Sequence, residues 1–312
     1  MPEPVALAAL AIDAAVGWPA ALYRRVGHPV GGFAAIIRRC AAMWNASSRS
    51  PGARRVMGLA TVAILTGVAG GTGWLLTWLA HQALGGWSWI GIALFAAPGL
   101  AQRSLFEHVG AVRDALGTGD IEAARSAVAM IVGRDVETLD EAGVARAAIE
   151  SLAESFCDGI AAPLFWLLVL GLPGLWIYKA INTADSLIGH REPSWRAFGC
   201  AAARADDLLN LVPARIAGAL ICLAALRGWR VMWRDAREHA SPNAGWTEAA
   251  MAGALGLKLA GPASYDGETH VKPWIGDGRA DAGTADVTRA LSLYLRACAL
   301  LWLIAGVAAW AR

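Results

Sequence analysis

Acidic residues are missing from a long early stretch. None lies between Asp13 and Glu107, while Arg24, Arg25, Arg38, Arg39, Arg49, Arg54 and Arg55 fall inside it. By the positive-inside tendency the loop that carries these arginines, before the span at 56–80, faces the cytoplasm. Lysine is nearly absent too, occurring only at Lys179, Lys258 and Lys272. With net charge +2 and no basic run interleaved with aromatics, nothing argues for a nucleic-acid partner. The five cysteines stand singly with no Cys-x-x-Cys, which excludes a zinc ribbon and argues against a disulfide framework. They read as small buried thiols. There is no G-x-x-x-x-G-K-[ST], no G-x-S-x-G and no H-E-x-x-H, so nucleotide use of the P-loop kind and two common hydrolase designs are excluded. No repeat period recurs. Charge is sparse overall: 17% of residues, against about a quarter in soluble domains.

What fills the space is apolar: 56% hydrophobic residues, a mean hydropathy of +0.45, and long blocks of Leu, Ala, Trp and Gly. This composition predicts an all-α, polytopic integral membrane bundle. The N-terminus has Glu3 where a signal peptide would carry Lys or Arg, so residues 5–22 read as a retained first span. Residues 56–80 form a span, and 85–100 return after Gly85-Gly86, with Trp74, Trp78, Trp87 and Trp89 as an interfacial belt. Residues 101–159 read as a polar helical portion on the cytoplasmic side. In it Thr118–Asp120 starts a helix, and Val144, Ala148 and Leu152 share a face. Residues 160–181 are interrupted by Pro163, Gly171, Pro173 and Gly174 and are either a span or a re-entrant hairpin. Residues 208–227 read as broken by Pro213, 228–290 as a polar loop region, and 291–311 as the last span. The whole, 1–312, is expected to be one membrane-embedded domain. The side of residues 182–207 stays open, and a common cytoplasmic face is favoured because scattered motifs that build one site must meet.

Polar residues concentrate around the two interrupted segments. Glu150, Glu154 and Asp158 recur at i, i+4 and i+8, which stacks their carboxylates on one helical face. Such a ridge is either a solvated face or a cation or polyphosphate site. Asn182 and Asp185 sit one turn apart, followed by Arg191, Arg204, Asp206, Asp207, Asn210 and Arg215. Carboxylate and amide oxygens are the ligands magnesium favours beside substrate phosphates, and arginines neutralise phosphate bidentately. The same residues would also serve as buried ion pairs tying helices together. Charge at membrane depth is costly, which makes Arg215 a functional candidate.

These strings resemble the adenosylcobinamide-phosphate synthases of cobalamin biosynthesis, the CobD/CbiB family. The resemblance runs through HPV at 28–30, GRD at 133–135, AIESLAESFCDGIAAPLFW at 148–166 and YKAINTADSLIGHR at 178–191. It continues with FGCAAARADDLLNLVPARI at 198–216, SPNAGW at 241–246, and the GP-x-SY and PW-x-GDG strings that follow. Ser155, Val136 and Ala263 depart from the family pattern.

The resemblance implies a multi-pass enzyme of the cell inner membrane. It would join (R)-1-aminopropan-2-ol, or its O-phosphate, to the propionate of adenosylcobyric acid with ATP and Mg, a corrinoid thus being substrate. It implies roles as well. Glu150, Glu154, Asp158, Asp185, Asp206 and Asp207 would hold Mg and the amine, with Mg at Asp185, Asp206 and Asp207. Asn182 and Asn210 would orient them, Arg191, Arg204 and Arg215 would bind phosphate, and Asn243, Trp246, Tyr265, Trp274 and Asp277 would cover the corrin. Its partners would be the two substrates, the lipid bilayer and other late cobalamin-pathway membrane enzymes. A permease, a Mg-dependent membrane transferase acting on a diphosphate, and a non-catalytic assembly subunit are the competing readings.

Overall fold

The computed structural model describes residues 4–190, 192–265, 268–270 and 272–311, with the backbone alone at 263–265 and 268–270. Thirteen α-helices appear among them: α1 Val5–Val16, α2 Ala20–Val26, α3 Pro29–Trp44, α4 Pro51–Leu84, α5 Ser88–Ala96, α6 Gln102–Gly117, α7 Ile121–Ala129, α8 Glu141–Phe156, α9 Ala162–Ile188, α10 Cys200–Ala225, α11 Trp229–Asp235, α12 Ala244–Leu255 and α13 Thr284–Ala311. A π-helical turn, Cys157–Ala161, joins α8 to α9. Strands β1 Leu259–Ala260, β2 Ala263–Tyr265, β3 Glu268–His270 and β4 Trp274–Ile275 make two small antiparallel ladders, β1 with β4 and β2 with β3. The protein is an all-α membrane bundle.

Helix starts follow local chemistry. Ser50 Oγ accepts from the Ala53 N–H, with Pro51 at the first helical position. Asp120 and Asp140 cap α7 and α8 through the Ala123 and Gly143 N–H groups at 3.0 and 2.7 Å. Each satisfies a donor that the first turn cannot pair internally.

Four helical stretches are long and apolar enough to cross a membrane: Pro51–Gly117, Glu141–Ile188, Cys200–Ala225 and Thr284–Ala311. A fifth counts if the bent pair Val5–Val16 and Ala20–Trp44 is taken as one span. Large apolar side chains face outward along them, including Trp74, Trp78 and Leu303, as lipid contact requires.

The chain forms two compact units. The first comprises Met1–Ala101, Ala162–Asn210 and Ala305–Arg312. In it α4 packs on α9 through small residues: a Cβ on Gly73 would meet the Pro173 backbone at 2.8 Å. Close approach through glycine is how membrane helices gain contact where lipid gives no hydrophobic drive. The second unit comprises Gln102–Ala161 and Leu211–Ile304. Its centre is α8, which packs on α6, α7 and α12. Val144, Ala148 and Leu152 are fully buried as their spacing predicts, and so are Ala145, Ala147 and Ile149 on other faces.

Several expected boundaries differ. Residues 5–22 are not one straight helix. Gly17, at φ 60°, ends α1 after twelve residues, and the next helices leave at 101°. Twelve residues rise about 18 Å, short of the roughly 30 Å hydrocarbon core. Residues 208–227 are not broken. Pro213 lies inside continuous α10, and the carbonyl it leaves open, that of Leu209, accepts the Trp166 indole N–H at 3.2 Å. In 160–181 the chain does kink, at Gly171 (φ 66°, ψ −157°), and resumes as helix. The region 228–290 is more than a loop, since it contains α11, the almost wholly buried α12, and both ladders.

Candidate functional site

In the second unit a cavity of about 310 Å³ is lined by six ionisable residues: Arg134, Glu150, Glu154, His239, Glu248 and Lys272. Five parts of the chain supply them, His239 coming from the link between α11 and α12 and Lys272 from just before β4. The turn after α7 brings Arg134, α8 brings Glu150 and Glu154 one turn apart, and the start of α12 brings Glu248. Arg134 Nη2 lies 2.6 Å from Glu150 Oε2, with both side chains close to nine-tenths buried. The other oxygen of Glu150 accepts the Ala260 N–H at 2.9 Å, so Glu150 is fixed to β1 as well. Arg134 Nε is buried and has no hydrogen-bond partner among the described residues. Glu154 is exposed. His239 Nδ1 accepts the Ser241 N–H at 3.0 Å, which leaves Nε2 to carry the proton 3.5 Å from Glu248 Oε1. Burial, and then the negative charges of Glu150 and Glu154, push the Glu248 carboxyl well above the usual carboxylate range against the pull of Lys272 and Arg134.

The straight ridge expected from Glu150, Glu154 and Asp158 does not extend past Phe156. Asp158 falls on the π turn, whose extra residue breaks the four-residue register.

Beside α12 a second arrangement gathers Arg215, Asn243 and Trp246. Ser241 Oγ accepts the N–H groups of Asn243 and Ala244 at 3.2 and 3.3 Å at the start of α12. Arg215 Nη1 donates to Asn243 Oδ1 at 2.9 Å and to the Leu211 carbonyl, and its guanidinium lies 4.7 Å from the Trp246 ring centre. Asn243 and Trp246 are both buried. Trp274, half-exposed, lies under Arg146, and Asp277 pairs with Arg234 at 2.9 Å. Hydrogen bonds from Arg234 hold Asp235 and Asp277 below the usual carboxylate range. Tyr265 lies on β2, where only the backbone is described.

In the first unit Asp206 is buried, and each of its oxygens accepts one amide: Asn182 Nδ2 and Asn210 Nδ2, both at 3.1 Å. The Tyr178 hydroxyl donates to Asn210 Oδ1 at 3.0 Å. Asp206 and Asn210 meet as their four-residue spacing suggests, and Asn182 joins them from α9. Asp185 lies against Gly189, Arg204 is exposed, and Asp207 is half-buried. Arg191 lies outside the described residues. Among the described residues no three His, Cys, Asp or Glu side chains gather as metal ligands, so Asp185, Asp206 and Asp207 do not form a three-carboxylate site.

The family model described as CobD/Cbib protein matches residues 6–294. The chain belongs to the CobD/CbiB family. It is similar to the cobalamin biosynthesis protein CobD of Rhodobacter capsulatus, 49% identical over 96% of this chain and 95% of that one. Similar proteins of that name occur in a Sinorhizobium species (46% identical, covering 94% of each chain) and in Brucella suis (44%, covering 94% and 92%). No solved structure matches. Family membership places the chain in cobalamin biosynthesis, and its apolar helices fit a multi-pass membrane protein.

Four cavity residues were absent from the candidates read from the sequence: Arg134, His239, Glu248 and Lys272. Arg134 stands within the GRD string, and Lys272 is one of only three lysines, so two of them had a signal. Glu248 had none. Of its neighbours in the cavity, Arg134, Glu150 and Glu154 lie about a hundred residues away in the chain.

Proposed function

We propose that the chain is an adenosylcobinamide-phosphate synthase, joining (R)-1-aminopropan-2-ol or its O-phosphate to the propionate of adenosylcobyric acid at the expense of ATP. The observation that carries this reading is the mixed lining of the 310 Å³ cavity, where cations and carboxylates face one space. Amide formation from a carboxylate needs its oxygen made into a leaving group. The propionate oxygen attacks the terminal phosphorus of ATP, ADP departs, and an acyl phosphate results. The amine nitrogen then attacks the acyl carbon, phosphate leaves, and the nitrogen gives up a proton. Arg134, with its unpartnered Nε, and Lys272 would bind phosphoryl oxygens. Glu154 and Glu248 would pair with the arriving ammonium. Glu248, whose carboxyl burial holds well above the usual carboxylate range, would take the proton.

Magnesium, when bound, would neutralise phosphate charge. It needs only one or two carboxylates beside phosphates and water; Glu154, exposed at the same cavity, would supply one, and Asp206, engaged by two amides, does not serve. The inner membrane is the expected location.

A strain lacking the gene should grow on supplied cobinamide and not on cobyric acid. Growth on cobyric acid would remove the proposed reaction. Purified Glu248→Gln should fold and lose most ATP-dependent amide formation, and full turnover would take Glu248 out of the mechanism.

A further inference from the structure

A second cavity in the same unit, about 270 Å³, is lined by Arg227, Arg289 and Arg296 with the hydroxyls of Thr288 and Ser292, and by no carboxylate. Thr288, Ser292 and Arg296 follow each other at four-residue intervals on α13, so one helical face presents them together. Arg289 is tied to Asp286 at 3.0 Å and to the Leu255 carbonyl at 2.8 Å, which holds it in place. Asp286 is shared with Arg279, so it offsets little of the cavity's positive charge. No carboxylate pairs with Arg227 or Arg296 among the described residues; Arg296 Nε donates only to the Ser292 carbonyl. Two guanidinium groups without a carboxylate partner among the described residues, beside a third anchored to Asp286, fit a phosphate group.

The place of this cavity narrows the ligand. It lies where α10, a stretch apolar enough to span, ends at Ala225, and against the first turns of α13, another such stretch. Around it Leu226 is 88% exposed and Leu295 51% exposed. Leu226 also stands at φ 55°, a conformation a leucine adopts at a cost. An exposed leucine held in such a geometry gains nothing in water and gains an apolar surrounding at a bilayer surface. The cavity is smaller than the roughly 300–1,000 Å³ that encloses drug-sized ligands, so it takes a headgroup and leaves the rest of the molecule outside.

We infer that Arg227, Arg289 and Arg296 form a site for the phosphate headgroup of an anionic phospholipid, separate from the cavity of Glu248. The lipid ties α10 to α13 at the membrane surface, with Leu226 among its acyl chains. The arginines Arg227, Arg230, Arg234 and Arg237 that follow α10 assign this end to the cytoplasmic leaflet.

The test uses the intact chain purified in neutral detergent and follows its unfolding midpoint as lipid is titrated. Phosphatidylglycerol should raise the midpoint saturably, while phosphatidylcholine and inorganic phosphate at the same concentration should not. In Arg227→Gln/Arg296→Gln the apparent affinity for phosphatidylglycerol should fall about tenfold or more. Unchanged affinity in that variant overturns the site. Equal stabilisation by inorganic phosphate overturns the lipid as its ligand. Should the double variant fail to fold, Arg227→Gln alone carries the test, because that guanidinium has no hydrogen-bond or carboxylate partner among the described residues to lose, and wild-type affinity there is equally fatal. Turnover of the proposed ligase is read separately and decides neither outcome.

Discussion

The indole N–H of Trp166 donates to the carbonyl of Leu209, the acceptor that Pro213 leaves without its helical partner. A proline in a helix interior removes one backbone donor, and in a bilayer no water replaces it. One side chain from the neighbouring α9 supplies the missing donor, and α10 stays continuous.

Trp166→Phe keeps the ring's bulk and removes the donor. The cost should be about 1–3 kcal/mol, the penalty for an unsatisfied acceptor, read as a lower unfolding midpoint in detergent. In a Pro213→Ala background the helix supplies its own donor, and the same substitution should cost little. Equal losses in both backgrounds would show that the bond does not matter.

The pair Arg134–Glu150 predicts an asymmetry. Arg134→Ala strands a buried carboxylate and should destabilise by about 3–5 kcal/mol. Arg134→Ala combined with Glu150→Gln removes the stranded charge and should recover a large part of that loss. A double variant no better than Arg134→Ala in thermal unfolding would contradict the account.

Glu248 predicts how stability varies with pH. Its folded-state pKa is raised above the ordinary value near 4.5, chiefly by burial. The folded state therefore holds the proton more tightly than the unfolded chain. That contribution is fully present below about pH 4.5 and is lost as pH rises through the folded value. Wild type should lose more stability than Glu248→Gln as pH rises above about 4.5, so the two melting profiles should separate with increasing pH. The groups facing Glu248 (His239, Glu150, Glu154, Arg134 and Lys272) remain in both proteins, so their titration should largely cancel. Parallel profiles would contradict the raised folded-state value.

Much of the fold was legible because it rests on local chemistry. Thr118–Asp120 announces a helix, and Asp120 is indeed its cap. The triplet Val144, Ala148 and Leu152 announces a buried face, and all three are buried. Gly171 and Pro173 announce a kink, and the backbone turns at Gly171. Proline 213 misled for a definite reason: sequence order shows the missing donor and hides the indole 43 residues away that replaces it.

By itself the sequence determined that this is an all-α membrane protein, where its polar motifs lie, and which family it resembles. Composition, periodicity and caps act within a few residues of one another. Only the tertiary structure decided how each charged group is used. Asp206 is closed off by two amides, Glu150 is bound to Arg134 and to the backbone of Ala260 across 110 residues, and the Glu248 carboxyl is pushed well above the usual carboxylate range inside a cavity. Desolvation and the approach of distant partners set those states, and neither exists until the chain has folded.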